Sequence, residues 1–263
     1  MKPLPINQLP VQKIKAVFSD LDDTLTDHSL LLPDTLRSLH DLHEQGFQVV
    51  IVSGRPAGWA DSLMRLVPLD ALIFENGAGI MLREGKKIRT HCLAEDSTLE
   101  DQKKILKRVF DQIRVHVPEA KLATDQPYRL FDFAVDFNEE PPFLKPEQTE
   151  WIMAFLENQP EVTAKLSSIH INYWVGQHTK LTACQFWLKT LGAPLSIGPD
   201  AIAYTGDSPN DEPLFGFFQN SVGVANVSRF LNQMKCPPKY ITTSEGGKGF
   251  QEFARLLLNR NKP

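Results

Sequence analysis

The chain has 263 residues, 42% hydrophobic and 23% charged, enough apolar material for a full core and a second, smaller domain. Its formal charge of −4 supplies no basic field, which argues against nucleic acid or an anionic membrane surface as partners. Cys92, Cys184 and Cys236 lie scattered without a CxxC spacing, fitting a reducing compartment rather than a disulfide frame or a zinc site.

No apolar run approaches membrane-spanning length, and the opening MKPLPINQLP lacks the apolar stretch of a signal peptide, so the expectation is a cytoplasmic, soluble protein. Residues 1–12, with three prolines, read as a loose extension or an edge segment. Ile14–Ser19 is a short apolar, strand-like run. Pro33-Asp34 opens a helical pattern through Leu36, Leu39 and Leu42 that Gly46 closes. Phe47–Val52 is a second apolar run, followed by a helical segment through Leu66, and Ala71–Phe74 reads as a third short strand. The same alternation returns late: helix at Thr182–Leu191, strand at Ile202–Thr205, helix at Glu212–Phe218, strand at Ser221–Val224, and a last helix from about Phe250 to Leu258. Such alternation predicts an α/β fold with a doubly wound parallel sheet covered on both faces.

The middle of the chain differs. It holds a charged helical stretch (Leu99–Val117), a strand-like run (Leu130–Phe137), the turn Glu140-Pro141-Pro142, a helix near Pro146–Leu156, and strand-like segments at Val162–Leu166 and Ile169–Val175. It reads as an inserted α/β cap. The expected division is 1–89 for the first half of the core, 90–177 for the cap and 178–263 for the second half.

Four segments carry candidate chemistry. Val17-Phe18-Ser19-Asp20-Leu21-Asp22-Asp23-Thr24 ends an apolar strand in carboxylates, at the edge where open parallel sheets place their ligands. Asp20 and Asp22, two residues apart, share a face in extended chain and suit a hard divalent cation or a nucleophile and proton-handling pair. An acidic turn is the plainer alternative. Val49–Val52 ends in Ser53-Gly54-Arg55-Pro56, a hydroxyl and an exposed amide at a helix start, able to hold phosphate oxygens or simply to cap the helix. Gly206-Asp207-Ser208-Pro209-Asn210-Asp211 follows the Ile202–Thr205 strand and returns acids and an amide to the same edge, or is an Asx-rich turn. Lys180, where the insertion rejoins the core, is either a phosphate-neutralising cation or a surface lysine.

Together these segments resemble the haloacid dehalogenase (HAD) superfamily. Asp20-Leu21-Asp22-Asp23-Thr24 matches its DxDxT motif, Ser53-Gly54-Arg55 the SGR form of its capped sugar-phosphatase branch, Lys180 its lysine motif, and Gly206–Asp211 its GDxxND motif. Glu75-Asn76-Gly77-Ala78 resembles the NGA turn of that branch, which includes Cof-type, sucrose-phosphate, trehalose-phosphate and mannosyl-3-phosphoglycerate phosphatases. The resemblance spans the chain, because the branch carries its larger cap between the serine and lysine motifs. It implies Asp20 as nucleophile and Mg²⁺ ligand, Asp22 as general acid/base with a backbone carbonyl on the metal, and Asp207 as a further ligand. Ser53, Gly54, Lys180 and Asn210 would hold the phosphoryl oxygens, and Asp211 would orient Lys180 or a metal-bound water. Asp23 departs mildly from the pattern, standing where glycine is commoner, and is expected to face solvent.

The histidines show no metal-ligand spacing, so a zinc enzyme is not expected. His170, Asn172 and Trp174 alternate along one cap strand, opposite Ile171 and Tyr173, and with Arg129 are candidates for contacting the leaving group. Asp132 and Asp136 are weaker candidates, and an ordinary half-exposed strand is the alternative. Gly246-Gly247-Lys248-Gly249 lacks the spacing of a P-loop and reads as the turn into the last helix. The expectation is a Mg²⁺-dependent phosphomonoesterase acting on a small phosphorylated substrate, a sugar phosphate or glycosyl phosphoglycerate. It would be a monomer or weak homodimer without nucleic-acid or membrane partners. A phosphosugar mutase and a non-catalytic phospholigand-binding protein are the alternatives.

Overall fold

The computed structural model describes residues 2–94 and 99–260. The first half of the core carries β1 (Leu4–Pro5), β2 (Ala16–Ser19), β3 (Thr26–Asp27), β4 (Leu30–Leu31), α1 (Pro33–Glu44), β5 (Gln48–Val52), α2 (Ala57–Leu66), β6 (Ala71–Phe74), β7 (Gly79–Glu84) and β8 (Lys87–Cys92). The insertion holds α3 (Leu99–His116), β9 (Lys121–Leu122), β10 (Asp132–Asp136), α4 (Pro146–Glu157), β11 (Val162–Leu166) and β12 (His170–Val175). The chain returns through α5 (Lys180–Trp187), β13 (Ile202–Gly206), α6 (Glu212–Phe217), β14 (Asn220–Gly223), β15 (Tyr240–Ile241) and α7 (Gly246–Leu258).

The core sheet runs β1-β15-β14-β13-β2-β5-β6-β7-β8, parallel from β1 to β6. Its central strands read as unbroken apolar runs because both faces are covered, and period-2 alternation sorts their side chains. Val17, Val49 and Ile51 pack with Leu39, Leu42, Phe250, Phe253 and Leu257 of α1 and α7. Phe18, Val50 and Val52 pack on the other face with Ala183, Trp187, Leu214 and Phe215 of α5 and α6. The order reverses direction around β2, so the carboxyl ends of β2, β5 and β13 form one crevice.

Two features go beyond the sequence reading. β7 and β8 extend the sheet as an antiparallel hairpin, and β8 carries the core sheet to Cys92, past residue 89. Helix α7 starts at Gly246, a turn before Phe250, its glycines lying where a side chain would strike Asp27, Thr35 and the Leu25 carbonyl. The proline-rich start is an edge segment, with Leu4 and Pro5 pairing with Tyr240 and Ile241.

The cap is an antiparallel sheet, β11-β12-β10-β9, with α3 and α4 on one face. Ile171 and Tyr173 enter that apolar layer beside Leu106, Val109, Ile113 and Ile152. His170, Asn172 and Trp174 pair across with Asp136, Ala134 and Asp132 and take the other face, toward the core. Among the described residues no helix is long and apolar enough to cross a membrane.

Candidate active site

Asp20 stands one residue past the end of β2, its backbone N–H donating to the Thr205 carbonyl of β13 at 2.9 Å. Its carboxylate is 5% exposed and accepts from Lys180 Nζ at 2.6 Å. Lys180 is the first residue of α5, capped by the Thr179 hydroxyl accepting from Thr182 N–H at 3.1 Å. Gly77, at φ +100°, lets the preceding turn press against the Thr179 carbonyl where any Cβ would collide, and so sets where that helix begins. Lys180 is buried, yet it is no surface lysine misplaced, for its second partner is Asp211 Oδ1 at 3.0 Å.

Asp207 follows β13 and is 2% exposed. Its carboxylate accepts from Thr24 Oγ1 at 3.5 Å and from Asn226 Nδ2 at 3.2 Å. Asp211, fully buried, accepts from Lys180, from the Tyr204 hydroxyl at 2.6 Å and from the Asp207 N–H at 3.1 Å. Gly206 leaves the space that carboxylate fills. Oxygens of Asp20, Asp207 and Asp211 lie within 4.8 Å of one another.

The charges decide what this cluster needs. Burial pushes the Asp20 carboxyl well above the usual range; Lys180 opposes that shift, and Asp211 and Asp22 add to it. Asp207 is likewise pushed well up, by burial first and then by Asp20, Asp211 and Asp23. Burial alone would lower Lys180, but Asp20 and Asp211 outweigh it and hold the ammonium charged. One lysine cannot balance three buried carboxylates. The all-oxygen donor set and the surplus negative charge fit a hard divalent cation such as Mg²⁺. Asp211 is already committed to four donors, which leaves Asp20 and Asp207 as the side chains with capacity for the ion.

One cavity brings Asp20, Asp22, Gly54, Asp207 and Asn210 from the core together with His170 and Asn172 from the cap. Ser53 is buried beside it, its Oγ accepting the Arg55 N–H at 2.9 Å. Trp174 and Arg129 do not line the cavity. Trp174 is 1% exposed, donates to the His178 carbonyl at 3.1 Å and stacks on the His178 ring. Arg129 is walled in by Asp125 at 3.0 Å, Asp132 at 2.9 Å and the Gly54 carbonyl at 2.9 Å, clamping cap to core. Asp132 is raised to about 7, by burial first, with Arg129 opposing and Glu75 adding to the shift. Asp136 accepts the N–H groups of Glu139 and Glu140 and shapes a turn. Asp23 is half-buried at φ +54°, a left-handed conformation that explains why glycine would sit easily there.

Several residues important to the site carried no assignment from sequence. Arg55 is 3% exposed and folds back over Asp22, with Nε 3.0 Å from both carboxylate oxygens and Nη2 2.9 Å from Oδ1. It also reaches Asp125 at 3.2 Å and Glu139 Oε1 at 2.6 Å in the cap, and lies 4.4 Å over the Trp59 ring. Glu75, fully buried at φ +45°, accepts the backbone N–H groups of Leu130, Phe131 and Asp132 from the cap and of Ala57 from the core. Asn226 joins the Asp23 carbonyl, Asp207 and Gly246. Asn226 was accessible to the rule that located Asp207, since it lies just past the strand-like Ser221–Val224. Arg55 and Glu75 were visible only as parts of SGR and ENGA. Their partners are 18 to 84 residues away, beyond any local pattern.

A family model described as haloacid dehalogenase-like hydrolase matches residues 17–123. Phosphoglycolate phosphatase 1 of Saccharolobus solfataricus is 26% identical over 249 residues, covering 93% of this chain and 96% of its own. A phosphoglycolate phosphatase of Methanopyrus kandleri is 23% identical, over 92% and 96%. Among solved structures, a Thermoplasma acidophilum protein superposes with a TM-score of 0.72 at 18% identity over 93% and 99% of the two chains. The sucrose-phosphatase of Synechocystis, in complex with sucrose and phosphate, gives 0.60 at 17% over 92% and 97%. Fold and site are those of a capped α/β protein with an acidic crevice at the carboxyl ends of its parallel strands, and the matched relatives mark it as an enzyme of the phosphatase type. The family match covers residues 17–123, the first half of the core and the start of the cap, and the similarity to the two phosphatases extends over nearly the whole chain.

Proposed function

We propose that this enzyme is a Mg²⁺-dependent phosphomonoesterase that works through a phosphoryl-aspartate on Asp20. The observation that carries the reading is the buried Asp20 carboxylate, anchored at 2.6 Å by Lys180 and sharing a cavity with Asp22, Gly54, Asp207 and Asn210. Asp20, Asp207 and the Asp22 backbone carbonyl would hold the ion, which would supply charge neutralisation between the anionic ester and the nucleophile. With Oδ1 held by Lys180, Asp20 Oδ2 is the oxygen left to attack phosphorus, forming the O–P bond as the ester O–P bond breaks. Asp22, turned away from Arg55 and protonated from solvent before the substrate closes over it, gives that proton to the leaving oxygen and later takes one from the water that cleaves the acyl phosphate. The Gly54 amide, Ser53, Asn210 and Lys180 steady the equatorial oxygens, and Asp211 keeps Lys180 aimed.

The family's capped branch suggests a phosphorylated sugar or a glycosyl phosphoglycerate, and the two relatives named phosphoglycolate phosphatases add a small acid phosphate to that range. The test is phosphate release with Mg²⁺ from a panel of such esters. Asp20→Asn should reduce turnover by roughly 10³-fold or more while leaving the far-ultraviolet circular dichroism unchanged. Persistent turnover in that variant would remove Asp20 as nucleophile, and isomerised sugar phosphate without free phosphate would make the enzyme a mutase.

A further inference from the structure

The roof of the cavity already binds a carboxylate. The carboxylate is that of Glu139, on the turn after β10, with Oε1 2.6 Å from Arg55 Nη2 and Oε2 2.8 Å from His170 Nε2. Burial would raise its carboxyl, but the contacts with His170 and Arg55 outweigh that and hold it down to about 2. Arg55 and His170 both line the cavity that contains Asp20 and Asp22, so this cradle lies on the leaving-group side of the proposed nucleophile.

Its turn neighbours Asn138, Glu140 and Pro141 are exposed, and Glu139 borders an adjoining cleft with His28 and Ser29 that offers its side chain space outside the cradle. His170 is 2% exposed, and Glu139 Oε2, 2.8 Å from its Nε2, is the partner that faces it there. An incoming carboxylate can replace Glu139 and leave the Arg55 charge compensated throughout. An uncharged group taking that place would strand a buried guanidinium short of one partner.

Resting on the phosphomonoesterase reading, we infer that the preferred substrate has a small leaving group bearing a carboxylate, which displaces Glu139 from between Arg55 and His170. Glu139 is then an internal competitor for the substrate's own acid group.

The experiment compares kcat/KM for 2-phosphoglycolate and for ethyl phosphate, which differ in a carboxylate against a methyl, with p-nitrophenyl phosphate as the general ester. The wild-type enzyme should favour 2-phosphoglycolate by about tenfold or more. Glu139→Gln, a weaker occupant of the cradle, should raise that ratio by about fivefold, and His170→Ala should lower it by a similar factor. A wild-type ratio of one or less overturns the inference without any variant, and so does a ratio that Glu139→Gln leaves unchanged or lowers. If p-nitrophenyl phosphate itself yields no phosphate, the underlying phosphomonoesterase reading fails instead.

Discussion

The floor of the crevice and its roof are both built from buried charges, but on different plans. On the floor, Asp20, Lys180, Asp207 and Asp211 stand at the ends of sheet strands or at a helix start, tied to the sheet by bonds such as Asp20 N–H to Thr205 O and to one another by contacts such as Lys180 to Asp20. On the roof, Arg55, Arg129, Asp125, Asp132 and Glu139 form a web of ion pairs that crosses between core and cap. A buried ion pair has little net worth once desolvation is subtracted, so the partners in such a web can be exchanged at low cost. On the proposed reading, the floor would serve one reaction on any phosphate monoester, and the roof would select what the phosphate is attached to.

The attachment of the roof offers the largest effect. Glu75→Ala would orphan four backbone donors, three of them in the cap, and should destabilise the protein by roughly 3 kcal/mol in urea unfolding. A loss well under 1 kcal/mol would show that the cap is not held this way, and the contrast drawn above would fail. On the floor, excess Mg²⁺ should raise thermal stability, by about 2.7 kcal/mol at a hundredfold excess over Kd, because the ion relieves repulsion among the folded-state carboxylates only. Asp207→Asn should abolish most of that gain. Stabilisation that survives the substitution would move the ion elsewhere.

The smallest effect lies at the hinge. His178, buried against Trp174 where the cap rejoins the core, is lowered by burial to about 4, against an ordinary value of 6.5. Because the folded value is the lower one, the unfolded chain binds more protons between those limits, and stability falls as pH drops through that window. Between pH 7 and pH 5 this costs about 2 kcal/mol. His178→Phe should flatten the decline in melting temperature over that interval, and an equally steep decline would place the acid sensitivity in other groups.

Much of the floor was legible from sequence because each part of it is local. Apolar runs of parallel-strand character end at Asp20, Ser53 and Asp207, and strand ends are where such sheets present ligands. The period-2 pattern also placed His170, Asn172 and Trp174 on one face. It did not tell which of them would meet the cavity; Trp174 turned to His178 instead, while His170 and Asn172 line the cleft. The hairpin β7–β8 escaped because its outer strand is exposed and lacks a clean alternation.

The sequence by itself determined the alternation of elements, the acidic strand ends and the place of the insertion, since these depend on neighbours a few residues apart. Only the tertiary structure decided that Arg55 lies across Asp22, that Glu75 holds the cap's backbone, and that Glu139 of the cap pairs with Arg55. Those contacts join residues 33, 56 and 84 positions apart. A buried charge finds its partner through the packing of whole domains, and no local period encodes that meeting.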